Sequence, residues 1–152
     1  MRLTKTILMF IAIPLSLLLT GGKGLAWEAK ITIRAGEIET KLIFGQEPDA
    51  SSGMDGRYDV PALLSGELQA YFEAGGQRLW RDIRGTGVGE WAMVIESSRT
   101  GEIVLLWESE KLPDREVLLI DGGLSINMKE ISRYSYTNDG KRILKIRVEG
   151  GR

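Results

Sequence analysis

The stretch Ser132–Val148, SRYSYTNDGKRILKIRV, decides how this chain is read. Tyr134 and Tyr136 stand two residues apart before Asn138-Asp139-Gly140, and Leu144, Ile146 and Val148 repeat the same spacing after it. A period of two places each set on one face of a β-strand. Asn, Asp and Gly are the residues that tolerate the positive φ angles of a tight turn. The stretch therefore predicts a β-hairpin.

Working outward, the same alternation recurs along the chain. WEAKITIRAG sets Ile31, Ile33 and Ala35 against Lys30, Thr32 and Arg34, and EIETKLIFG sets Ile38, Leu42 and Phe44 against Glu39 and Lys41. LSGELQAYFEA, LWRDIR, EWAMVIESS, GEIVLLWES, LPDREVLLID and GLSINMKE continue it, with SSRTG as the turn between the third and fourth of these. PALLSGELQAYFEAGG is rich in Ala, Leu and Glu, as a helix would be, but Gly66 interrupts it and Tyr71-Phe72 favours a strand. The pattern predicts an all-β domain of about eight or nine strands. With no alternating helices the sheets are expected to be antiparallel, packed as a two-sheet sandwich.

The N-terminus reads differently. Arg2 and Lys5 precede the apolar run Ile7–Leu19, and Gly24-Leu25-Ala26 offers small residues at the positions a signal peptidase reads. As a helix the run spans about 20 Å, short of a ~30 Å bilayer core. Residues 1–26 are expected to be a cleaved signal peptide, the alternative being an uncleaved anchor, with residues 27–152 a single exported domain, periplasmic or extracellular. No membrane span is expected after cleavage. The chain holds 20 Lys and Arg against 21 Asp and Glu; removing Arg2, Lys5 and Lys23 leaves 17 against 21. A net acidic domain lacks the clustered cations that nucleic acid requires, so no nucleic-acid partner is expected. There is no cysteine, so the fold must stand on packing alone.

The residue types constrain chemistry as well. Without histidine or cysteine the chain has no Ser-His-Asp or Cys-His machinery and lacks the commonest zinc ligands. Carboxylates such as Glu90, Glu96 and Glu108 fall near strand ends, where acids are usually solvated. The expectation is a protein that is not an enzyme. Trp91 and Trp107 share the register of apolar neighbours and are expected in the core. Trp80, between charged residues in RLWRDIR, is the candidate for an exposed ligand platform, with Tyr58 as a second candidate and Tyr71 and Tyr134 as further rim aromatics. FGQEPDASSGMDGRYDVPALL, Phe44–Leu64, offers Asp49, Asp55 and Asp59 to a hard cation such as calcium. Their spacing does not match an EF-hand loop, and aspartates in Gly-rich loops more often accept backbone N–H bonds. The loop is expected to be a structural strap, with no cofactor required.

LIFGQEPDASSGMDGRYDVPALL, followed by LQAYF, WRDIR, EWAMVI, VLLWESEKLP and VLLID, resembles an immunoglobulin-like β-sandwich module of exported bacterial proteins. The resemblance rests on Phe44-Gly45 closing a strand and on the loop ending Tyr58-Asp59-x-Pro61. It covers about residues 38 to 148 and implies a fold, with no catalytic residues to carry over. No sorting tail follows, which gives the expectation of a stand-alone copy. The function expected is a non-catalytic binding module for another envelope or extracellular protein. The alternatives are a glycan-binding accessory module using Trp80 and the tyrosines, or a calcium-stabilised structural domain.

Overall fold

A computed structural model of the chain describes residues 25–51, 53–87 and 89–150. The expected signal segment lies outside them, apart from Leu25 and Ala26. In chain order the strands are β1 (Trp27–Ala35), β2 (Ile38–Gln46), β3 (Val60–Pro61), β4 (Leu68–Ala74), β5 (Gln77–Arg84) and β6 (Gly89–Ser97). They continue with β7 (Glu102–Trp107), β8 (Val117–Asp121), β9 (Leu124–Asn127), β10 (Arg133–Thr137) and β11 (Lys141–Val148), and a 3-10 turn covers Ser109–Lys111. The described residues are all-β apart from that turn, and PALLSGELQAYFEAGG contains β4, a strand.

The strands form one mixed sheet in the order β10-β7-β1-β2-β5-β4-β6-β11-β8-β9, with β3 paired to β5, curled into a half-barrel. This differs from the expected pair of separate antiparallel sheets, and β5 is the reason. Its first residues pair antiparallel with β4, Phe72 opposite Leu79, through the Gly75-Gly76 turn, where both glycines take positive φ. Its last residues pair parallel with β2, from Ile43 opposite Arg81 to Gln46 opposite Arg84. A register shift opposite Val60/Pro61 lies between the two halves. An irregularity of this kind bends a strand, letting one strand leave one leaf of a sheet and join another.

The curled sheet closes over one core. Phe44 of β2 meets Phe72 of β4 at 6.1 Å and Trp91 of β6 at 5.4 Å between ring centroids, joining the two halves. The predicted inward faces are buried as expected: Ile31, Ile33, Leu42, Phe72, Met93, Ile103, Leu105 and Leu144, with Trp91 and Trp107. Val148, Ile146 and Leu119 fill the far half.

The hairpin prediction for Ser132–Val148 fails. β10 pairs with β7, whereas β11 pairs with β6 and β8. The SSRTG connection behaves alike, because β6 and β7 lie in opposite halves of the sheet. Both turns are crossovers at the same end of the molecule. Asn138 N–H donates to Gly101 O at 2.7 Å and Ser97 N–H to Gly140 O at 3.3 Å, so the two crossovers are bound side by side.

Candidate functional site

The Phe44–Leu64 stretch is a strap along β5. Gly45 sits where a Cβ would lie 2.2 Å from Trp27 O, so the close approach of β1 excludes any side chain. Asp59 is buried; its Oδ1 accepts Ile83 N–H at 2.8 Å and its Oδ2 accepts Asp55 N–H. Pro61 belongs to β3, and Arg81 donates to Tyr58 O and to Glu28 Oε2 at 2.6 Å. Two acidic groups are already engaged: Asp55 Oδ1 accepts Arg57 N–H at 3.1 Å, and Asp49 Oδ1 accepts the Tyr58 hydroxyl at 2.6 Å. Those bonds hold both carboxyls below the usual carboxylate range. Among the described residues no three acidic side chains group as a metal site. The aspartates do the turn-holding work expected of a strap.

The aromatic candidates are dispersed. Trp80 is exposed on β5, Tyr58 spends its hydroxyl on Asp49, and Tyr71 is buried with Arg78 over its ring. Glu90 stands between Arg147 and Lys145 in surface ion pairs. Asp82 is buried beside Arg84, whose guanidinium it accepts at 2.9 Å; desolvation pushes its carboxyl up and Arg84 offsets part of the rise.

The other sheet end brings different residues together. β10 terminates the strand order, so among the described residues one of its edges carries no strand. In its ladder with β7 the bonded pairs alternate. Trp107 N–H donates to Ser132 O, and Asn138 N–H donates to Gly101 O, which fixes the even-numbered residues as those bonded to β7. The N–H and C=O groups of Arg133, Ser135 and Thr137 therefore point to the open side. On the inward face, the Tyr134 hydroxyl donates to Asp121 Oδ2 of β8, and Arg142 donates to the same oxygen at 3.0 Å. Arg142 also lies 4.1 Å over the Tyr136 ring. Burial pushes both phenols up to about 12, the hydrogen bond to Asp121 adding to the effect at Tyr134. The Tyr136 hydroxyl is buried with no hydrogen-bond partner among the described residues.

This edge was hidden at the level of sequence. The hairpin expectation sets β10 beside β11 and says nothing of its other edge, so it points to none of Asp121, Arg133, Ser135, Thr137 and Arg142. The readable signal was the alternation in RYSYT, which gives the faces of the strand and says nothing of its neighbours. No protein-family model, curated protein or solved structure matches the chain.

Proposed function

We propose that this chain is an exported, non-catalytic binding module that recognises an extended segment of another envelope or extracellular protein along β10. The observation that carries the reading is the open edge of β10, where Arg133, Ser135 and Thr137 present backbone groups that no other described strand pairs. Such an edge accepts a further strand, main-chain bonds supplying affinity and alternate side chains supplying specificity. Export rests on the basic, apolar and small-residue order of residues 1–26. The start of β1 at Trp27 is compatible with cleavage after Ala26, which would remove no strand residue. The resemblance to an immunoglobulin-like sandwich belongs to the same proposal, supported by the two halves of the sheet that face each other across Phe44, Phe72 and Trp91.

Ser135→Pro tests the reading. Proline removes an N–H that β7 does not use, and edge strands accept it there. The variant is expected to keep its thermal unfolding profile and to lose the protein that the wild-type chain recovers from envelope and culture-supernatant fractions. Identical recovery by both chains would sink the proposal. Glycan binding at the exposed Trp80 is the second reading, and a glycan array with Trp80→Ala as control decides it.

A further inference from the structure

We infer that the segment taken up by β10 is acidic on its outward face and apolar on its inward face. This rests on reading β10 as the binding edge. Register fixes the outer face of the half-sheet that ends there. Lys41, Thr32, Leu106 and Arg133 form one row across β2, β1, β7 and β10, and Glu39, Arg34, Val104 and Ser135 form the next. Glu102 lies opposite Thr137, and Lys30 opposite Ile43. Lys30, Arg34, Lys41 and Arg133 thus share this face with Glu39 and Glu102, and Glu108 follows Leu106 beside Lys30, so the cations stay in excess by one on a domain whose sequence is acidic overall once residues 1–26 are set aside. Glu28, at the far end of β1, is joined to Arg81 of β5.

The surface has shape as well as charge. Val104 and Leu106 are half-buried and form the floor of a shallow depression that Arg34 and Arg133 border. The ion pairs Arg34–Glu39 and Arg133–Glu102, at 2.9 and 3.6 Å, join exposed side chains and are weak enough to exchange for a partner's carboxylate. A strand laid on β10 places its own outward side chains beside Arg133, Ser135 and Thr137. Opposite charges directly across a ladder are favourable and like charges are not. Its inward side chains fall next to the rings of Tyr134 and Tyr136, which pack with the core, while the polar neighbours Asp121 and Arg142 are already paired with each other.

Two capped heptapeptides provide the probe, Thr-Glu-Val-Glu-Val-Glu-Thr and its counterpart with Lys in place of each Glu. The Glu peptide is expected to protect the Arg133, Ser135 and Thr137 amides from exchange and shift their NMR signals. It should bind about fivefold or more tightly than the Lys peptide, with the gap closing as salt is raised. Arg133→Glu is expected to reverse the preference, and Ser135→Pro to abolish binding of the Glu peptide. Equal affinity for the two peptides, no binding of either, or signal changes confined to residues away from β10 would each overturn the inference. The functional reading falls separately, by the recovery experiment with Ser135→Pro.

Discussion

The side-chain amide of Asn138 donates to Ser97 O at 3.0 Å, tying the β10–β11 connection to the β6–β7 connection. The same amide donates to Arg99 O, and Asn138 Oδ1 accepts Gly140 N–H at 3.0 Å. The amide nitrogen thus joins the two crossovers, and the amide oxygen holds the β10–β11 connection in shape. Asn138→Ala removes three bonds, each worth about 1 kcal/mol net, and is expected to lower stability by about 2–3 kcal/mol. Asn138→Asp should be no better, since it sets a carboxylate oxygen against two carbonyls. Urea unfolding measures both variants. A loss below about 0.5 kcal/mol for Asn138→Ala would show that the crossovers are held by something else.

These two crossovers also mark where reading the sequence stops. The faces of nearly every strand were legible, because burial imposes a period of two on Ile31, Ile33, Ile103 and Leu105 wherever their partners lie. Partners are set by long-range closure, to which a local Asn-Asp-Gly signal is indifferent: the chain bends at Gly140, but the strands on its two sides join different halves of the sheet. The strap was legible for a related reason. Asp in a Gly-rich loop signals an acceptor of backbone N–H bonds, which Asp59 is, but its partner Ile83 and the crowding of Gly45 by Trp27 follow only from the topology. An open edge is purely topological, and nothing within RYSYT distinguishes a terminal strand from an interior one.

Gly45→Ala tests the close approach of β1 to β2. A methyl group there would meet Trp27 O at 2.2 Å and Glu28 Cα at 3.0 Å, both backbone atoms that cannot rotate away. β1 and β2 must separate locally, and the cost is expected at about 2–3 kcal/mol. Chemical denaturation of the variant gives the number. A stability equal to wild type would mean that β1 sits farther from β2 than described.

Asp59 offers a prediction about metal as well as stability. It satisfies the N–H groups of Ile83 and Asp55 at once, so Asp59→Ala leaves two donors without acceptors and is expected to cost about 2–4 kcal/mol. Asp59→Asn restores one acceptor and should recover about half the loss. Because the carboxylates of Asp49, Asp55 and Asp59 are engaged within the strap, millimolar calcium is expected to leave Tm unchanged. A rise in Tm with calcium that Asp49→Asn abolishes would show the strap to be a cation site.

Tyr134 and Tyr136 predict how the fold responds to base. Both phenols titrate at about 12 in the folded chain, above the ordinary value of 10, so folding favours their neutral forms. Their contribution is fully present below about pH 10 and is lost as the pH rises toward 12, where the unfolded chain ionises first. One unit corresponds to 1.36 kcal/mol, which sets an upper bound of about 2.7 kcal/mol for Tyr136 and less for the more exposed Tyr134. Tyr136→Phe removes a hydroxyl that has no partner among the described residues, so at pH 7 it is expected to be neutral or stabilising. Tyr134→Phe gives up the bond to Asp121 and should cost about 1 kcal/mol at that pH. Unfolding free energies measured from pH 8 to 12 should fall less steeply in both variants than in the wild type. A Tyr136→Phe chain destabilised by more than about 1 kcal/mol at pH 7 would reveal an acceptor for that hydroxyl, a bridging water between β10 and Arg142 being the first to seek.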